Sequence, residues 1–249
     1  AEYSSIHRGL YDLSNKASEK YESVRKTVAD YLNVKNPECI SFTSGATEGI
    51  NIIARSVIEP GLQTGQNIVV SILEHHANLI PWQELAKRKG LELRIVGLND
   101  KGDLDIDELK NSLDENTAVL AITHISNTIG TINPVEEITV LAHKKNIPVL
   151  LDAAQSAALY DLDHSKLDYD FLVFSGHKVF GPMGVGVLFV SENYVDKTAA
   201  YNYGGGIIRE VKEKESSFRA YPHVLEAGTA NVTGVIGLGE ALNYISNLD

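Results

Sequence analysis

The chain has 249 residues, with 22 basic and 33 acidic side chains, a formal net charge of -11, and 43% hydrophobic residues. That length suits one large α/β domain or two smaller ones with a sizeable core, and the interspersed charge marks an ordinary globular chain. The negative surplus argues against a nucleic-acid groove and against docking on anionic membranes, and it leaves room for a small anion held by a local site.

In chain order, the opening "AEYSSIHRGLYDLSNK" has no initiator Met and no charged-then-apolar signal pattern. It reads like the interior of a longer protein, as does the closing "GEALNYISNLD", a helix with nothing after it. Leu13, Ala17, Tyr21, Val24, Val28 and Tyr31 form one stripe of a predicted helix, with Ser14 as its expected cap. Seven apolar runs read as strands: Cys39–Thr43, Ile68–Leu73, Leu93–Leu98, Ala118–Ile125, Val149–Leu151, Phe171–Ser175 and Val185–Val190. Helical patterns separate them. One is introduced by Asn133-Pro134-Val135-Glu136, read as a cap, a first-turn proline and a capping glutamate. Residues 201–223, with "GGG" and "REVKEKE", lack a clear period and read as a protruding hairpin or flap. The pattern predicts an α/β fold, a mainly parallel seven-stranded sheet covered on both faces. No apolar run reaches membrane-spanning length. The one cysteine, Cys39, excludes an intrachain disulfide and implies no oxidising compartment.

Ligands of open parallel sheets sit beyond the carboxyl ends of the strands, and polar residues gather there. "TSGATEG" follows the first strand. It is either a plain strand-to-helix turn or a phosphate cradle in which Gly45, Ala46 and Thr47 present backbone N–H groups and a hydroxyl. No Walker pattern or strand-coupled GxGxxG occurs. In "EHHAN", His75 and His76 point in different directions and make a poor chelating pair, so no metal site is expected; one imidazole is either a cap or a ring stacked on a flat ligand. "THISNTIG" contributes Asn127, and "VLLDAAQS" contributes Asp152 and Gln155. Asp152 follows three apolar residues and needs a partner, either the next helix or a bound positive charge such as a protonated pyridine nitrogen. "FSGHKVFGP" ends the sixth strand with Ser175, His177 and Lys178. A lysine there either reaches water or serves as an amine for a Schiff base at a buried strand end, where an imine would relieve its charge. A phosphate cradle, a stackable ring, an aspartate and a lysine at successive strand ends together supply the parts that hold pyridoxal phosphate.

"TSGATEGIN", "EHHANLIPWQ", "THISNTIGT", "LLDAAQS", "FSGHKVFGPMGVGVL" and "EAGTANVTGVIGLGEAL" closely resemble the class V, fold type I pyridoxal-phosphate enzymes. Within them the chain is most similar to the SufS-type (group II) cysteine desulfurases and the related selenocysteine lyases, from "IHRGLYDLS" to the last helix. The resemblance implies a three-layer α/β/α sandwich, the large domain of that fold over residues 1–249. It implies that Lys178 carries the cofactor as an internal aldimine and acts as base. Asp152 would pair with the pyridinium nitrogen, Gln155 and Asn127 would approach the phenolate oxygen, and His75 would stack on the ring. Thr47, Ala46, Ser175 and His177 would hold the phosphate, and Thr229 would reach the phosphate of a partner subunit, giving a homodimer with shared active sites. The implied reaction turns L-cysteine into L-alanine and passes sulfur as a persulfide to an acceptor of the SufE or SufU kind, for iron-sulfur cluster assembly.

In that family the persulfide cysteine and the arginine for the substrate carboxylate belong to a small C-terminal domain, and the chain departs from the pattern by carrying neither. Cys39, in "PECISF", starts an edge-like strand away from the strand-end motifs and is expected to be structural or semi-exposed. The expectation is therefore a large domain without its N-terminal segment or small domain, inactive alone. Its expected location is the cytoplasm, or an organelle matrix such as that of a plastid or mitochondrion if a targeting segment has been removed. Alternatives are a selenocysteine lyase, another class V lyase or aminotransferase, and a non-catalytic dimerising scaffold. A nicotinamide-binding domain lacks its glycine fingerprint here.

Overall fold

The computed structural model describes Ile6 and residues 12–248; the rest of the opening stretch, with most of "IHRGLYDLS", lies outside the described residues. All seven anticipated strands form: β1 (Ile40–Thr43), β2 (Asn67–Ser71), β3 (Glu92–Val96), β4 (Thr117–Thr123), β5 (Val149–Asp152), β6 (Phe171–Ser175) and β7 (Gly186–Val190). They make one sheet in the order β1-β7-β6-β5-β4-β2-β3. β3, β2, β4, β5 and β6 run parallel, while β7 is antiparallel to both β6 and β1.

Alternation along the strands splits the core into two layers. Val69, Leu120, Leu151, Leu172 and Phe174 face one side, and Ile68, Val70, Ala121, Leu150 and Val173 face the other. A strand with no solvent face has to be apolar at every position, which is why these segments read as continuous apolar runs. The edge strand β3 is the exception, partly exposed along most of its length.

The helices are α1 (Asp12–Tyr31), α2 (Ala46–Ile52), α3 (His76–Lys89), α4 (Ile106–Ser112), α5 (Val135–His143), α6 (His164–Leu167), α7 (Glu192–Val195) and α8 (Val232–Ser246). α2 runs on into a π-helical stretch, Ile53–Ile58. The α1 stripe buries Ala17, Tyr21, Val24 and Val28, with Leu13 left exposed. The helix starts at Asp12, so Ser14 is buried within its first turn and is not the cap. Val24 lies against α8 at Gly239, where an added Cβ would come within 2.8 Å. Asn133 does not cap α5 either. Pro134 occupies the cap position, and Asn133 turns inward to donate from Nδ2 to the Thr123 carbonyl at 2.7 Å.

β8 (Ile208–Val211) and β9 (Ser216–Phe218) form a separate antiparallel hairpin, largely exposed, within residues 201–223. Cys39 is 2% exposed, in a 3-10 turn at the amino end of β1, so it is buried rather than semi-exposed. Burial, with Glu192 and Glu38 nearby, pushes its thiol up to about 11. Among the described residues, no helix is long and apolar enough to cross a membrane.

From β2 the chain crosses to β3 on one side, then returns to place β4 on the other. Such a reversal opens a crevice at the carboxyl ends of β2 and β4, where connections depart in opposite directions.

Candidate active site

A cleft of about 290 Å³ occupies that crevice, lined by Ala46, Thr47, His75, Asn127, Asp152, Gln155, Ser175, His177 and Lys178, with Ala77, Thr123, Ile125 and Ala154 between them. Nine of the ten residues singled out in the sequence thus meet in one place. Thr229 does not; it is exposed, outside the cleft, in the turn that follows Gly228.

The turn into α2 is built on close backbone approach. Gly45 has φ 158° and ψ 177°, a conformation open essentially to glycine. Behind it, a Cβ on Gly186 would lie 2.5 Å from the Gly45 Cα. The backbone amides here are less free than the sequence implies. Gly45 donates to Thr43 Oγ1 (3.2 Å), Ala46 to Ser175 Oγ (2.9 Å) and Ser44 to Glu48 Oε2 (2.6 Å). The Ser175 hydroxyl keeps its own proton uncommitted among the described residues, so this side chain, beside exposed Thr47, is left to donate into the cleft.

His75 is both cap and wall. Its Nδ1 accepts the Ala77 amide at 3.1 Å, which fixes the ring at the start of α3 and puts the proton of the neutral form on Nε2. The exposed ring borders the cleft. His75 and His76 stand 5.7 Å apart, ring centre to ring centre, and no metal-binding cluster occurs among the described residues.

Asp152 is 3% exposed at the end of β5. Its Oδ1 accepts the Ala154 amide at 2.9 Å, so it does cap the next turn, while Oδ2 has no donor among the described residues. Burial pushes its carboxyl above the ordinary range, opposed by the Ala154 amide and by the positive fields of Lys178 and His75. A buried carboxylate with one open oxygen is poorly satisfied alone and well matched to a cationic N–H in the cleft. Lys178 is exposed, on a 3-10 turn after β6, so the buried segment ends at Gly176 and the amine reaches the open cleft without being buried. Asn127, Gln155, His177 and Lys178 make no side-chain hydrogen bond among the described residues, so four polar groups stand ready for a ligand. The set fits pyridoxal phosphate: an acceptor for a pyridinium N–H, an amine, a flat ring for stacking, and hydroxyl and imidazole donors for a phosphate.

Sequence reasoning missed Glu74, which lies buried beneath this surface with three donors aimed at it. Its signal was the first letter of "EHHAN", a charged residue following an apolar strand.

The chain matches the aminotransferase class-V family over residues 1–249. A curated cysteine desulfurase of Escherichia coli is 45% identical over 247 residues, covering 99% of this chain and 61% of the relative. The apo structure of a cysteine desulfurase from Thermococcus onnurineus superposes with a TM-score of 0.94 at 36% identity, covering 98% of this chain and 61% of that one. The Escherichia coli cysteine desulfurase CsdA gives 0.92 at 35% identity, covering 100% of this chain and 62% of that one. The chain thus spans about three-fifths of the length of the relatives it matches. On its sequence and its sheet, this chain belongs to the aminotransferase class-V family.

Proposed function

We propose that this chain is the pyridoxal-phosphate-binding portion of a cysteine desulfurase, which converts L-cysteine to L-alanine and hands sulfur to an acceptor protein. The observation that carries the reading is the open Oδ2 of buried Asp152 in the same cleft as the uncommitted amine of Lys178. Similarity to cysteine desulfurases over 99% of the chain supports the substrate class. When bound, the cofactor supplies an electron sink for the pair released at the substrate Cα.

The protein's own groups do the rest. Asp152, kept ionised by the cation it holds, favours a protonated ring nitrogen. His75, fixed by its cap, offers its face to the ring. Asn127 and Gln155 donate toward the ring oxygen. Thr47, Ser175 and His177 hold the phosphate, with Ala46 anchoring Ser175. Lys178 would hold the cofactor through its amine and, as a free amine beside the substrate, would accept the proton at Cα. Exposed Thr229 belongs to the same reading as a contact to a partner subunit's phosphate, in a homodimer of the SufS type with an acceptor of the SufE or SufU kind.

The complete protein, incubated with pyridoxal phosphate, should show a visible absorbance band. Borohydride reduction and peptide mapping should then place the label on Lys178, and Lys178→Ala should lose the band while keeping its circular dichroism. A band that survives Lys178→Ala would sink the assignment. With cysteine as substrate the product should be alanine; a keto acid would favour an aminotransferase, and alanine from selenocysteine alone a selenocysteine lyase.

A further inference from the structure

Glu74 lines no part of the cleft, yet every polar bond it makes ends on an element that shapes the cleft. Its Oε1 accepts from the Ser71 hydroxyl at the end of β2 (2.5 Å) and from the Thr123 amide at the end of β4 (2.9 Å). Its Oε2 accepts from Asn78 Nδ2 in the first turn of α3 (2.5 Å). Asn78 Oδ1 in turn accepts the indole N–H of Trp82 at 3.1 Å, and Trp82 is the chain's single tryptophan. Thr123 is the register partner of Asp152 across β4 and β5, and Glu74 directly precedes His75. One side chain therefore joins three elements around the crevice.

All three partners are donors. An ionised carboxylate accepts them together, whereas the acid form must donate once itself; of the three partners the Ser71 hydroxyl alone can accept that proton, so protonation reverses the Ser71 bond and strips the other two of their charge assistance. Burial favours the acid; the donors from Ser71, Thr123 and Asn78 favour the carboxylate; the like charge of Asp152 favours the acid again, and the balance pushes the carboxyl up to about 8. Asp152 is the charged group facing it from β5, and behind Asp152 stand Lys178 and His75.

We infer that Glu74 is a positioning residue: its ionised carboxylate locks the ends of β2 and β4 to the first turn of α3, setting His75 and Asp152 against the cofactor, and protonation loosens the lock. The inference rests on the pyridoxal-phosphate reading above, although the lock exists in the cofactor-free protein.

Two readouts test it. In the cofactor-free protein, the Trp82 indole N–H resonance should titrate near neutral to mildly alkaline pH and stay constant in Glu74→Gln. In the reconstituted protein, Glu74→Gln should weaken pyridoxal-phosphate affinity about tenfold above pH 8, the scale of one hydrogen bond to a charged group. That deficit should shrink towards none near pH 6, where the native side chain is already neutral. A deficit independent of pH, or an indole titration that persists in the variant, overturns the proposal. If Glu74→Gln does not fold, Ser71→Ala removes one donor and should move the indole midpoint upward; an unmoved midpoint overturns it equally. A native protein that binds no pyridoxal phosphate defeats the functional reading alone, because the indole titration still decides the role of Glu74.

Discussion

At the scale of the residue, Asp152 shows how one position serves structure and chemistry together. Its Oδ1 caps the turn at Ala154, and its Oδ2 is left for the cleft. Asp152→Asn keeps the shape and the cap while removing the charge, so the fold should survive and cofactor affinity should fall by about tenfold or more, the loss of a charge-assisted bond. Equilibrium dialysis of pyridoxal phosphate against both proteins checks this; equal retention would remove Asp152 from the ring nitrogen. Of the alternatives that the sequence left for this residue, the cap is formed, and because a carboxylate has two oxygens the other stays available to a bound positive charge. His75 is placed in the same way: its Nδ1 caps α3 while its ring borders the cleft.

At the scale of elements, Gly186 and His143 each carry a prediction. Gly186 pairs with Ser175 in β6 and Thr43 in β1, and an added Cβ would meet Gly45 Cα at 2.5 Å and the Phe174 carbonyl at 2.8 Å. Gly186→Ala should cost about 1–3 kcal/mol of stability by overpacking, read as a lower urea midpoint with unchanged slope, because backbone atoms cannot step aside as a side chain would. His143, in the last turn of α5, places Nδ1 3.1 Å from Asp168 Oδ2 and Nε2 2.9 Å from Asp170 Oδ2. Partial burial lowers its pKa, but the bonds and charges of Asp170 and Asp168 outweigh that and leave it raised. A raised folded value means that the stabilisation is fully present below the unfolded value of about 6.5 and is lost as pH rises through the folded one. His143→Gln should therefore destabilise the protein in mildly acidic buffer and have little effect in alkaline buffer, which urea melts across that range would resolve.

For the whole molecule, Arg25 and Glu226 are the main polar tie between distant parts of the chain. Arg25, 2% exposed, makes a bidentate pair with Glu226 (2.8 and 2.6 Å), reaches Glu22 (2.7 Å) and the Ile40 carbonyl (2.8 Å), and lies over the Phe42 ring. Glu226 also accepts the Phe42 amide at 3.0 Å. The pair joins α1 to the edge strand β1 and to the segment that leads to Thr229 and α8. Removing one partner of a buried pair leaves the other charge uncompensated, so Arg25→Met should cost about 3–5 kcal/mol, seen as a large drop in thermal midpoint. The double replacement Arg25→Met with Glu226→Leu should recover much of that loss. If the single variant melts like the native protein, the tie is not what holds these segments together.

Much of this arrangement was legible in the chain itself. Most of the seven runs lack alternation and specify strands buried on both faces, because a strand that meets no water has little use for polar positions; the run that contains Arg94 forms the partly exposed edge strand β3. The polar letters that end those runs, from "TSGAT" to "SGHK", mark the cleft because burial forbids them earlier in each strand. What local patterns could not decide were properties set by distant partners. Ser14 and Asn133 are good caps by type, but one is enclosed in a helix that begins earlier and the other is drawn away by the Thr123 carbonyl. The amide of Ala46 is taken by Ser175, 129 residues away. Glu74 gained its place only when β2, β4 and α3 came together, since no sequence neighbourhood reveals three donors converging from separate elements. The order of residue types along the chain determined the strands, the sheet and the chemistry on offer. The tertiary structure alone decided which donor meets which acceptor, because hydrogen bonding depends on distance and direction in space rather than on separation along the chain.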